Sequence, residues 1–132
     1  MTTLTALGHE RFVSLTTFRR NGEGVATPVW VARDGDALVV ITPEGTGKLR
    51  RLRRDDRVTL RPCDRRGRVA PDAPTVEARA TVHDDPWTVQ RVMSTMTAKY
   101  GLEFKVFMLV ERIIRRGNRL GSSSRSVEVK RA

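Results

Sequence analysis

The sequence has one cysteine and two histidines, and nowhere does it carry a long apolar run. Cys63 alone cannot close an intrachain disulfide and has no CxxC partner, which excludes a disulfide framework and a thiolate metal finger. His9 stands near the chain start and His83 at a strand end, positions where histidine is commonly a solvated bystander. Side-chain catalysis needs a nucleophile, a base and a group to orient the base, or a metal with several ligands. Neither set is visible, so no catalytic residue and no metal ligand is assigned. No apolar stretch, Val106 to Val110 included, comes near the roughly 18 residues that span a bilayer. The first twenty residues hold no apolar core of the secretory type, so a cytoplasmic location and no membrane partner are expected. Aromatic residues make up only 5% of the chain. No base-stacking or groove-reading pattern accompanies them, which disfavours nucleic acid as a partner.

What the chain has in excess is positive charge: 25 Lys and Arg against 15 Asp and Glu, a formal net charge of +10. That balance favours an acidic partner, such as a phosphorylated small molecule. At 132 residues the chain suffices for one hydrophobic core, so residues 1–132 are read as one domain. A site for a large ligand is then expected to be shared between subunits.

Period-two alternation dominates the first half. Val13, Leu15 and Thr17 share a face of one strand, which ends at the turn-forming Asn21-Gly22. Val25, Thr27, Val29 and Val31 share a face of the next, with Ala26, Pro28 and Trp30 on the other. Pro28 donates no amide hydrogen and belongs at an edge or a bulge. Asp34-Gly35 turns into Val39–Thr42, and later runs at Arg57–Cys63, Thr75–Val82 and Arg125–Lys130 complete about six strands. Helical spacing appears in Lys48–Arg54, whose apolar residues are Leu49 and Leu52. It appears again after Pro86, where Asp84 or Asp85 caps and Val89, Val92, Met93, Met96 and Tyr100 form one face. A further helix is expected over Leu102 to Arg116.

The segment Thr42-Pro43-Glu44-Gly45-Thr46-Gly47-Lys48 runs from strand through a glycine-bearing turn to a helix start. The first amides of a helix lack intrahelical partners and its dipole is positive there, so such a turn can hold a phosphate. Thr46 adds a hydroxyl and Lys48 a full charge. Arg51, three residues on, shares the Lys48 face, and a bulky residue at Gly47 would block close approach. The turn has neither Walker spacing nor a GxGxxG beside it.

With Val25-Ala26-Thr27-Pro28-Val29-Trp30-Val31, Asp34-Gly35-Asp36, Gly47–Asp55 and Arg57–Asp64 in this order, the chain resembles the pyridoxamine 5'-phosphate oxidase-like split-barrel superfamily. The likeness extends to its actinobacterial branch of F420-dependent or flavin-dependent oxidoreductases. The resemblance implies a mainly β fold with flanking helices, the FMN-binding split β-barrel, and a homodimer with cofactor sites at the interface. It implies that Thr46, Gly47 and Lys48 hold the cofactor phosphate, with Arg51 as a second contact. It implies that Thr27, Pro28, Val29, Trp30 and Thr42 line the ring. The implied activity is hydride transfer between F420 and a small-molecule acceptor, with FMN as the alternative cofactor. A non-catalytic flavin, haem or bilin carrier is the alternative role. F420 carries a phosphate and a chain of glutamate carboxylates, which a groove of Lys48, Arg51, Arg54, Arg61, Arg65 or Arg68 would suit. The chain has Ser122–Lys130 where the pyridoxamine-phosphate oxidases carry an Arg-Pro, Trp-bearing substrate-reading tail, which sets it apart from vitamin oxidation.

Overall fold

A computed structural model describes residues 3–43, 45–104, 106 and 124–131. A 3-10 turn at Thr5–His9 leads into strands β1 (Phe12–Phe18), β2 (Gly24–Trp30), β3 (Ala32–Asp34) and β4 (Ala37–Pro43). Helix α1 (Gly47–Arg54), strands β5 (Arg57–Cys63) and β6 (Val76–His83), helix α2 (Pro86–Tyr100) and strand β7 (Ser124–Arg131) follow. The expected helix over Leu102 to Arg116 lies mostly outside the described residues, of which 102–104 and 106 are helical. No helix among the described residues is long and apolar enough to cross a membrane.

The strands form one antiparallel sheet in the order β2-β1-β5-β6-β7-β4-β3. Its two edge strands, β2 and β3, are consecutive in the chain and separated by Val31 alone. Two edges joined by one residue require the sheet to curl on itself, which gives the split barrel. Among the described residues there are seven strands rather than about six, because Ala32–Asp34, which the sequence pattern leaves between two strands, pairs with β4. The run Val25 to Val31 reads as one strand, but the chain leaves the β1 ladder at Trp30 and joins β4 from Ala32.

Alternation decides what fills the barrel. Val13 and Leu15 of β1, Val29 of β2, Leu38 and Val40 of β4, Leu60 of β5, and Val127 and Val129 of β7 all enter one buried cluster. Leu49 and Leu52 of α1 join it, so the helix lies against the barrel with the face that its three-residue apolar spacing predicts. Pro28 sits on an edge strand, where a missing amide leaves only one ladder to satisfy. Gly22, at φ +87, turns β1 into β2, and Asn21 Oδ1 accepts the Glu23 amide at 2.9 Å.

Helix α2 covers the outside of the barrel. Its cap is Asp85, which accepts the Thr88 amide at 2.9 Å, with Pro86 as the first helical residue. Val92 and Met96 are buried against Ala32, Val39 and Phe104, with Met93 and Tyr100 packed at the margin.

Val31 sits between two ladders, so its backbone needs partners from elsewhere. The end of α2 supplies them. Tyr100 Oη accepts the Val31 amide at 3.0 Å and lies 2.6 Å from the Val31 carbonyl and 2.8 Å from that of Arg11. Lys99 Nζ donates to the carbonyls of Val31, Gly8 and Glu10 at 2.6, 2.7 and 2.5 Å. Burial holds the Lys99 ammonium below the usual lysine range, Glu10 acting against the shift, and burial raises the Tyr100 phenol.

Candidate functional site

A cleft of about 560 Å³ opens between the outer face of the sheet and the end of α2 with the helical residues that follow it. Its floor comes from outward positions of three strands: Phe12 of β1, Pro28 and Trp30 of β2, and Ile41 and Pro43 of β4. Met96, Phe104 and Val106 form the helical wall. Trp30 is fixed by its neighbours, its ring centroid lying 4.8 Å from Tyr100, 5.6 Å from Phe104 and 6.0 Å, edge-on, from Phe12. Three charged residues, Lys48, Arg65 and Glu103, reach this apolar cleft.

Lys48 arrives there through the turn. Thr46 caps α1, its Oγ1 accepting the Leu49 amide at 3.4 Å, so Gly47 and Lys48 are the first residues of the helix. A Cβ on Gly47 would lie 2.8 Å from Arg51 Nη1, so the guanidinium packs over that glycine and would have to shift for any side chain there. Arg51 Nε also donates to Thr17 Oγ1 at 2.6 Å, which ties α1 to the inward row of β1. Burial, and then repulsion from Arg19 and Arg50, hold the Arg51 guanidinium below the ordinary arginine range. An arginine remains protonated under such a shift, so the surroundings of the turn are strongly electropositive.

The structure divides the nine residues expected to touch a cofactor. Pro28, Val29, Trp30 and Lys48 line the cleft, and Lys48 is half-buried at its margin. Thr46, Gly47 and Arg51 build the adjoining turn. Thr27 and Thr42 stand on strands that wall the cleft, but their side chains belong to the opposite face. Thr27 pairs with the core residue Leu15, and Thr42 is two residues beyond the core residue Val40. Period-two alternation sends both hydroxyls into the barrel, where Thr27 Oγ1 and Thr42 Oγ1 are buried without a hydrogen-bond partner. Neither residue is among those that line the cleft.

Of the six basic residues expected along a groove, Lys48 and Arg65 line the cleft. Arg54 is turned to the Phe18 carbonyl at 2.6 Å and Arg61 to that of Ala73 at 3.0 Å. The cleft residues Phe12, Ile41, Pro43, Met96, Glu103 and Phe104 were not legible as site residues. Their only sequence signal was the outward phase of their strands or the apolar stripe of a helix, which any core-facing position shares. Burial, then Asp64 and Glu10, push the Cys63 thiol up, which makes it a poor nucleophile. Among the described residues no group of His, Cys, Asp and Glu could hold a metal ion.

An apolar, aromatic-floored cleft with a cation and an electropositive helix start at its edge fits a flat ring bearing a phosphate. The family model of pyridoxamine 5'-phosphate oxidase matches residues 3–123. No curated protein matches the sequence. Among solved structures, the chain is similar to a heme storage protein from Vibrio cholerae, with 13% identity over 94% of this chain and 83% of that one and a TM-score of 0.65. It is similar to an F420 reductase, with 17% identity over 100% and 95% and a TM-score of 0.59. A heme-binding protein from Mycobacterium smegmatis shares 15% identity over 98% of this chain and 48% of its own, with a TM-score of 0.58. At these identities the likeness is one of fold.

Proposed function

The chain belongs to the pyridoxamine 5'-phosphate oxidase family, and from that premise we propose that it is an F420-dependent oxidoreductase acting on a small-molecule acceptor. One observation carries the reading: the turn of Thr46, Gly47 and Lys48, with Arg51 packed over it, adjoins a cleft floored by Trp30 and Ile41. Lys48, the first amides of α1 and Arg51 would hold a phosphate, and Pro28 and Trp30 would face the ring. F420 would supply the hydride chemistry when bound. The protein's part is then binding, orientation and exclusion of water, which a site without a nucleophile can perform.

F420 is preferred to FMN because the turn is more positive than one phosphate requires. Burial first, and then Arg19 and Arg50, lower the Arg51 pKa, and a chain of carboxylates would relieve the like-charge part of that shift. A second copy of the chain would cover the open side of the cleft, where Val106 is 50% exposed. A non-catalytic carrier role is the second reading, and it is favoured by the two structural neighbours named for heme.

Absorbance titrations of the purified protein with F420, FMN and heme, each in a separate cell, test the choice. Saturable binding of F420 at lower concentration than FMN, followed by oxidation of the reduced form by an enone or quinone, is the expected result. Saturation by heme, with neither flavin nor deazaflavin bound, would reverse it in favour of the carrier.

A further inference from the structure

Glu103 is the only carboxylate among the described residues that line the cleft, and it is held between two guanidinium groups. Its Oε2 pairs with Arg11 Nη2, and its Oε1 lies 3.5 Å from Arg65 Nη2. The three residues come from separate parts of the chain: Arg11 immediately before β1, Arg65 from the loop after β5, and Glu103 from the helical residues that follow α2. We propose that Arg11 and Arg65 form a carboxylate-binding subsite of the cleft, filled here by the chain's own Glu103 and made available to a ligand when Glu103 is displaced. The inference rests on the cleft being the ligand site, and it deepens the reading above by adding a second anion position apart from the phosphate turn.

A carboxylate bridging two guanidinium groups shows what this pair recognises, since planar guanidinium forks match carboxylate geometry. The bridge is also exchangeable. The side chains of Arg11, Arg65 and Glu103 are 54%, 76% and 39% exposed, and ion pairs of that exposure contribute little to stability. The neighbouring Phe104 is buried in the α2 cluster, so the backbone can stay anchored while the Glu103 side chain swings away. An incoming carboxylate would replace one anion by another, whereas a neutral group would leave Arg65 facing the cleft with no gain.

The carboxylate could belong to the acidic tail of the cofactor or to the acceptor, and binding measurements on the full chain separate them. Wild type, Glu103→Gln and Arg65→Gln would be titrated in 0.15 M salt with F420, with F420 stripped of its glutamates but not its phosphate, with cinnamate and with methyl cinnamate. Removing the internal competitor should tighten the carboxylate-bearing member of one pair by roughly threefold to tenfold relative to its partner. Arg65→Gln should weaken that same member. A shift confined to the F420 pair identifies the cofactor tail, and one confined to the cinnamates identifies the acceptor. If neither ratio moves in either variant, or if all four ligands gain equally in Glu103→Gln, the subsite is overturned. Failure of wild type to bind either deazaflavin would remove the cofactor reading, while the cinnamate pair still decides the subsite. Unchanged melting temperatures in both variants exclude a loss of fold as the cause.

Discussion

Lys48 illustrates how a single residue is given a role by its neighbours. A lysine at a helix start is usually a solvated charge, but the Thr46 cap and the packing of α1 on the barrel bring this one to the margin of an apolar cleft. Lys48→Ala removes the charge without touching Leu49 or Leu52, the residues by which α1 holds to the barrel. A hydrogen bond to a charged group contributes about 1.5–3 kcal/mol, so cofactor affinity should fall roughly tenfold to a hundredfold while the melting temperature stays near wild type. Equal affinity in wild type and variant, measured by titration, would take Lys48 out of the site. The turn was legible at this scale because helix capping and dipole chemistry are local. The inward direction of Thr27 and Thr42 was partly legible too, since their strand phase matches that of Val29 and Val40. The resemblance implied a ring contact for them, and alternation points their side chains into the barrel.

At the scale of elements, the end of α2 does more than pack. The break between β2 and β3 leaves Val31 without a ladder partner, and Tyr100 and Lys99 satisfy it from the helix. Tyr100→Phe keeps the ring against Trp30 but leaves the Val31 amide, in a residue with no exposed surface, without its acceptor. An unsatisfied buried donor costs about 1–3 kcal/mol, so the variant should unfold at lower denaturant concentration with an unchanged slope. A midpoint equal to wild type would mean that another group, or water, takes over the amide. Nothing in the local sequence announces this contact. Tyr100 fits the apolar stripe of α2 as well as Val92 does, and only the approach of the helix to Val31 shows that its hydroxyl has work.

For the whole molecule, closure of the sheet and the open cleft lead to the same expectation. The apolar floor and the exposed Leu102 and Val106 leave surface that one chain does not cover. Sedimentation of the purified protein should therefore give a species of twice the 14.9 kDa chain mass at micromolar concentration. A monomer that binds cofactor at full strength would show that a single chain completes the site.

The sequence by itself determined the local grammar: which residues alternate, where glycine and asparagine turn the chain, which face of α1 is apolar, and that Asp84 or Asp85, followed by Pro86, begins α2. Each of these depends on neighbours within a few positions, where backbone sterics and side-chain period act directly. The tertiary structure decided the rest. That the chain passes at Val31 from the β1 ladder to a short extra strand against β4 follows from the sheet closing on itself, a constraint set by partners across the whole chain. The pairing of Glu103 with Arg11 and Arg65, and the meeting of Lys48 with Trp30 and Phe104 in one cleft, likewise depend on where a curled sheet brings distant segments together, and no local pattern encodes that distance.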